Sequence, residues 1–179
     1  MKVLVITGSP HKKGTSALLV SEFIRGAEEA GHEVSRFDAA FKAVHPCIAC
    51  EQCHTAAEKG CVFKDDMNEL LPLLANAEAV VFASPVYYFT ISAQLKAAVD
   101  RFYAIDEVLH EEKKAMLMVT MSDSTVSTAD GALAFFRGTT GYLGWKDVGT
   151  LVAAGCTTRA DIENTDYPQQ AYEMGKNLQ

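Results

Sequence analysis

No stretch of this 179-residue sequence approaches the run of about 18 apolar residues that a membrane-spanning helix needs. Basic residues are in deficit: 16 Lys and Arg stand against 23 Asp and Glu, for a net charge of -7. Binding a nucleic-acid backbone needs clustered positive charge, so the deficit argues against that as the main task. It leaves room for a local basic loop that takes up a small phosphate. The Gly-x-Gly-x-x-Gly spacing of a dinucleotide turn and the Gly-Lys-Ser/Thr of a Walker loop are both missing. Repeats, low-complexity segments and linkers are missing too. The chain therefore reads as one domain, residues 1–179, long enough to bury a core without a metal or disulfide. The opening MKVLVITGSP meets a glycine turn too early for a signal peptide and has no small-residue cleavage site. These absences imply a cytoplasmic protein. In a reducing compartment, grouped cysteines are metal ligands or redox groups more often than disulfides.

What the sequence has is alternation. KVLVIT is a short apolar run, as in a strand buried on both faces. Leu19, Val20, Phe23, Ile24 and Ala27 then recur at helical spacing, with Thr15 or Ser16 as a candidate cap and Gly31 as a stop. HEVSRFDA reads as a second strand. KDDMNELLPLLANA reads as a helix, with Asp66 and Glu69 at capping-box spacing and Pro72 forcing an irregular start. EAVVFASPV, KAMLMVTMS and WKDVGTLVAAG supply three more strands. SAQLKAAVDRFYAI, a weaker TADGALAFFRGTTGYLG and YPQQAYEMGKNL supply helices. Five strands alternating with helices predict an α/β fold: a doubly wound, five-stranded parallel sheet in a three-layer α/β/α arrangement. Such sheets bind ligands beyond the carboxyl ends of their strands. That rule directs attention to residues 8–16, 40–65, 84–92 and 121–130.

In TGSPHKKGTS, Gly8 and Gly14 permit tight turns, and Ser9, Thr15 and Ser16 carry hydroxyls. His11, Lys12 and Lys13 add positive charge, and the unpaired amides of the following helix start favour an anion. The loop reads as a phosphate cradle. An ordinary strand-to-helix turn with a capping hydroxyl is the plainer account. After the third strand, Pro85, Val86, Tyr87 and Tyr88 can wall a planar ring; the plainer account, strongest for Phe89, is helix packing. After the fourth, Ser122, Asp123, Ser124 and Thr125 form a third candidate wall or a polar surface turn. A cradle and a ring wall on adjacent strand ends suggest a mononucleotide with a large ring.

HPCIACEQCHTAAEKGC, a cysteine-rich loop at 45–62, holds four of the five cysteines. Cys47, Cys50 and Cys53 stand two residues apart, and Cys61 follows after seven. Four thiolates on one loop are the ligand set of a [4Fe–4S] centre. Zinc also takes four cysteines, but between pairs separated by a longer segment. Unliganded thiols or disulfides are the remaining readings. His54 is a surface histidine or an alternative ligand, and Cys156 a buried small residue.

GSPHKKGTSALL, PCIACEQC, CVFKDDM and ASPVYYFTISAQLKAAVDR together resemble the flavodoxin-like NADPH-dependent FMN reductase family, and most closely its iron–sulfur flavoprotein branch. The resemblance covers residues 1 to about 105 in order and is generic beyond Arg101. It implies a flavodoxin-like FMN-binding domain, with Ser9, His11, Gly14, Thr15 and Ser16 on the phosphate and Pro85, Val86, Tyr87 and Tyr88 along the flavin. The family often has arginine where this chain has His11, which implies weaker or pH-sensitive phosphate binding unless Lys12 or Lys13 compensates. Ser122 and Asp123 would meet the ribityl chain or ring. Cys47, Cys50, Cys53 and Cys61 would bind the cluster, since the last gap falls within that branch's variable spacing. The function implied is that of an FMN-dependent, cytoplasmic electron-transfer oxidoreductase, fed by a ferredoxin-like donor or NAD(P)H and passing electrons to a small acceptor. Family members are often homodimers or homotetramers. A cluster-free NAD(P)H-dependent FMN, quinone or azo reductase and a non-catalytic redox carrier or thiol sensor are the alternatives. The cysteine loop follows the second strand, at the sheet end where the ring is expected.

Overall fold

A computed structural model describes residues 1–55 and 60–179. Residues 56–59, within the cysteine-rich loop, lie outside the described residues. The strands are β1 (Lys2–Thr7), β2 (Glu33–Asp38), β3 (Ala79–Pro85), β4 (Lys114–Thr120) and β5 (Lys146–Ala153). All four pairings are parallel, in the order β2-β1-β3-β4-β5, which is the doubly wound arrangement the alternation predicts.

Both faces of the sheet are buried, which is why its central strands are apolar throughout. Leu4, Ile6, Val80 and Phe82 face one core, which also takes Leu70 and Leu74 of α3 (Met67–Asn76), Leu95 of α4 (Ala93–Asp100) and Phe136 of α5 (Asp130–Leu143). Val3, Val5, Val81 and Met118 face the other. That core takes Leu19 and Phe23 of α1 (Thr15–Glu29), Ile162 of α6 (Arg159–Glu163) and Ala171 of α7 (Tyr167–Lys176). A four-residue α2 (Gln52–Thr55) lies inside the cysteine loop. Among the described residues, no helix is long and apolar enough to cross a membrane.

Three local expectations change. The residue capping α1 is Gly14, with no side-chain cap, because the Thr15 and Ser16 hydroxyls turn to Thr120 instead. The Asp66–Glu69 capping box does not form. Asp66 accepts the Ala43 amide at 2.8 Å, and Glu69 pairs with Lys42. The first turn of α3 closes instead by three-residue hydrogen bonds, Asn68 to Asp65 and Glu69 to Asp66, both at 3.0 Å. That is the irregular start Pro72 called for. Finally, α6 is an extra helix. It opens on a capping box between Thr158 and Asp161.

Candidate functional site

The chain leaves β1 toward β2 on one side, and its other neighbour β3 leads to β4 on the opposite side. The carboxyl ends of β1 and β3 are therefore where the strand order reverses and a crevice opens. A cleft of about 520 Å³ lies there. Ser9 to Thr15 form one side, and Pro85, Val86 and Tyr87 another. Thr120, Met121 and Ser122 at the end of β4, with Cys156, Thr157 and Arg159 after β5, close the rest.

The first two walls are stapled together. Ser92 Oγ donates to the Gly8 carbonyl at 2.9 Å, and the Gly8 amide donates to Ala83 O at 2.9 Å. A Cβ at residue 8 would lie 2.2 Å from Ser92 Oγ and 2.6 Å from Leu95 Cβ, so only glycine permits this approach. The cradle's hydroxyls are also gathered. Thr15 Oγ1 donates to Thr120 Oγ1 at 2.9 Å, and Ser16 Oγ meets the same atom at 2.8 Å. Buried Thr120 thus holds two cradle side chains at once. The early amides of α1 have no side-chain cap, and uncapped amides at a helix start favour an anion. Lys12, Lys13 and Arg159 surround this helix start with positive charge in a protein whose net charge is -7, and His11 lies beside them. Hydroxyls, free amides and cations beside an apolar wall fit a phosphate attached to a planar ring.

The structure gathers Ser9, His11, Lys13, Gly14, Thr15, Pro85, Val86, Tyr87 and Ser122 around this cleft and leaves three predicted residues outside its lining. Ser16 is buried, with its hydroxyl turned to Thr120. Asp123 is held by the Thr125 amide at 2.8 Å and the Thr128 hydroxyl at 2.7 Å, as the brace of the next turn. Tyr88 is 98% exposed on a tight turn in which it and Phe89 take φ values of 45° and 69°. Sequence reading missed Thr120 and Arg159. Thr120 is the polar end of an apolar strand. Arg159 lies beyond β5, where the strand-end rule applies equally.

The cysteine loop sits elsewhere. It leaves β2 at the carboxyl end, as expected, but Cys47, Cys50, Cys53 and Cys61 line a second cavity against Asp100, Arg101, Tyr103 and Ala104, beyond α4. The two cavities share no lining residue. The cysteine cavity meets α4 at its carboxyl end, through Asp100, and no residue of α4 lines the cleft. All cysteines are free thiols. Burial is the first cause raising the Cys53 thiol, with the charges of Cys61, Cys50 and Glu51 adding to it, so these groups are close neighbours.

Two ties hold the loop. The outer one joins Tyr103 Oη to Glu51 at 2.8 Å and His54 Nε2 to the Tyr103 carbonyl at 2.7 Å, so His54 is a strut. The inner one is a buried ion pair. Arg101 donates from Nη1 to Asp65 Oδ2 at 2.8 Å, from Nη2 to Oδ1 at 3.2 Å, and from Nη1 again to His45 O at 2.8 Å. The two side chains are 1% and 3% exposed. Burial alone would raise the Asp65 carboxyl; hydrogen bonds from Arg101 and from the His45 and Met67 amides hold it well below the usual carboxylate range. Burial would likewise lower the Arg101 guanidinium, and Asp65 and Cys61 more than reverse this. Neither residue was singled out by the sequence, where an Arg at a helix end reads as solvent-exposed.

The cysteine cavity, about 20 Å³, is close to the space of one water molecule. Among the described residues, no group of three or more His, Cys, Asp or Glu is gathered tightly enough to hold a metal ion. The donor set nevertheless fits an iron–sulfur cluster in kind. Four thiols face one cavity, and a buried N–H of Arg101 there has no acceptor among the described residues. Cys47 and Cys50 are exposed, so the thiols can rearrange around a cluster without disturbing the core.

An iron-sulfur flavoprotein of Methanocaldococcus jannaschii is 40% identical over 101 residues, covering 56% of this chain and 51% of that protein. One from Archaeoglobus fulgidus is 38% identical over 101 residues, covering 56% and 45%. The chain thus spans about half the length of the curated relatives it matches. Among solved structures, the NAD(P)H:quinone oxidoreductase from Methanothermobacter marburgensis superposes with a TM-score of 0.75 at 20% identity, covering 100% of this chain and 96% of that one. An azoreductase from Bacillus anthracis gives 0.76 at 17%, covering 99% and 100%. At these identities the likeness is one of fold, the flavodoxin-like α/β sheet. The profile of the family described as NADPH-dependent FMN reductase matches residues 1–156, and the chain belongs to that family.

Proposed function

We propose that this chain is a flavin-dependent oxidoreductase with FMN in the cleft and a [4Fe–4S] cluster on the cysteine loop. The observation that carries the proposal is the pairing of two chemically distinct cavities on one chain: a basic, hydroxyl-lined cleft and a pocket faced by four thiols. When bound, the flavin supplies the redox chemistry and the cluster supplies single electrons, so the protein needs no nucleophile of its own.

The chain's residues hold and orient. The α1 amides, Ser9, Thr15 and the His11-Lys12-Lys13 run would take the phosphate; Pro85, Val86 and Tyr87 would cover one ring face; Ser122 would reach the ribityl chain or ring edge. Thr120 keeps Thr15 in place, and Arg159 adds charge at the rim. Cys47, Cys50, Cys53 and Cys61 would ligate the cluster. The exposed aromatics Tyr87, Tyr88 and Phe89 beside the cleft suit a second copy of the chain closing over the open ring face. A ferredoxin-like protein or NAD(P)H is the electron donor in this reading.

A cluster-free NAD(P)H-dependent reductase is the second reading, and the ungathered thiols favour it. Protein purified without oxygen decides between them. The first reading expects bound FMN with about four iron atoms and matching sulfide per chain. Cys53→Ala should then lose the iron and keep the FMN. Iron and sulfide near zero in the wild type, with rapid bleaching of the flavin by NAD(P)H, would establish the second reading.

A further inference from the structure

Arg101 is a buried cation on the cysteine side of the molecule, and its hydrogen bonding is incomplete. Its two terminal nitrogens are used by Asp65 and the His45 carbonyl. Its Nε–H is buried and has no acceptor among the described residues. The same side chain lines the cavity that Cys47, Cys50, Cys53 and Cys61 face. Phe63 covers the guanidinium from another side, with Cζ 5.1 Å from the ring centroid. A residue that served only to tie the loop to α4 would gain nothing from a third, unsatisfied donor, since a buried donor without a partner is costly. Sulfur ligands of a metal cluster are acceptors of such N–H groups. Hydrogen bonds to those sulfurs, together with nearby charge, set how easily a cluster accepts an electron.

We propose that Arg101 is a positioning residue of the cysteine site, donating its free Nε–H to a ligand sulfur and tuning the cluster's reduction potential with a charge that Asp65 offsets. This rests on the iron–sulfur reading above. The two members of the ion pair should then act in opposite directions. Loss of the guanidinium fork removes the donor and disfavours the extra electron. Neutralising Asp65 leaves the donor in place and its charge uncompensated, which favours the extra electron. A purely structural tie predicts no such opposition, because either change breaks the same pair.

The test uses anaerobically purified wild type, Arg101→Lys and Asp65→Asn, each measured for iron, sulfide, thermal unfolding and cluster midpoint potential by redox titration of the visible spectrum. At wild-type iron content, the expected result is a lower midpoint for Arg101→Lys and a higher one for Asp65→Asn. Midpoints that stay unchanged, or that move in the same direction, would overturn the proposal while leaving the cluster intact. If Arg101→Lys does not fold, Asp65→Asn decides: a raised midpoint supports the tuning role and an unmoved one ends it. A folded variant that loses its iron would make Arg101 a tie of the loop and no more. A wild type without iron would remove the cluster reading, and this proposal with it.

Discussion

The cleft and the cysteine loop are built in opposite ways. The cleft is an extension of the sheet: its walls are strand ends, its close approach depends on Gly8, and its hydroxyls are gathered by a buried threonine before any ligand arrives. The loop carries equally specific chemistry on much less scaffold. It holds Ala49 and Glu51 in left-handed conformations, with φ of 53° and 60°, and hangs from Arg101 and Tyr103, just past the end of α4, by one buried ion pair and one surface clamp. A site preformed by a core binds by filling space, whereas a site on a tethered loop needs its ligand to gather it. The cleft is therefore expected to tolerate damage to the loop, and the loop to depend on a few contacts.

Arg101→Met tests that dependence most severely. Removing one partner of a buried ion pair leaves the Asp65 carboxylate buried without its cation, held among the described residues only by the His45 and Met67 amides and the His45 ring, at a cost of about 3–5 kcal/mol in unfolding free energy. FMN affinity should not change, since the two cavities share no lining residue. A parallel loss of FMN would show that the regions are coupled through α4, and the contrast would fail. The penalty also has a pH signature. The folded Asp65 carboxyl lies below its ordinary value of 3.8, so its contribution is complete above about pH 4 and is lost as pH falls. The stability gap between wild type and Arg101→Met should narrow in acid. A gap constant from pH 7 to pH 3 would mean that the ion pair is not the tie.

On the cleft side the corresponding change is smaller. Thr120→Val deprives the Thr15 and Ser16 hydroxyls of their shared partner without altering the strand. The expected loss is about 1–1.5 kcal/mol of FMN binding, close to a tenfold rise in Kd. Iron content should stay at the wild-type level. Unchanged FMN affinity would mean that the cradle needs no preorganisation from β4.

These residues also show how far the sequence could be read. The order of strands and helices, and the loops at their carboxyl ends, follow from apolar runs and helical spacing, because a sheet buried on both faces leaves that pattern. Ligand types were legible wherever one short segment carries them all, as in the cradle and the four cysteines. Partnerships across the fold were not. Thr120 lies 105 residues from Thr15, and Arg101 lies 36 from Asp65, and no local pattern announces either pairing. Asp66 and Glu69 had the right spacing for a capping box and were diverted by Ala43 and Lys42, contacts that only the folded loop supplies. The site of the cysteines relative to the cleft was hidden for the same reason. A strand-end rule gives where a loop leaves the sheet, and its ties to Arg101 and Tyr103, past the end of α4, decide where it goes.

The aromatic turn at the cleft's edge offers the mildest and most selective test. Tyr87 and Thr90 exchange backbone hydrogen bonds, 2.9 Å from the Tyr87 amide and 3.3 Å back, around two residues with positive φ. That is a hairpin turn which ordinarily takes Asn-Gly, and here it carries Tyr88 and Phe89. Gly131 lets α5 close on it: a Cβ there would lie 2.3 Å from Phe89 O. Bulky residues in left-handed conformations persist where the surrounding structure over-determines them, and they cluster at functional sites. Tyr88→Asn with Phe89→Gly should raise stability by about 1 kcal/mol by relieving that strain. If the two rings close over the flavin's partner or substrate, turnover should fall in the same protein while FMN affinity holds, because neither ring lines the cleft. A gain in stability with full turnover would make the turn a packing device for α5. A loss of stability would show that its exposed rings are held by contacts stronger than the strain they impose.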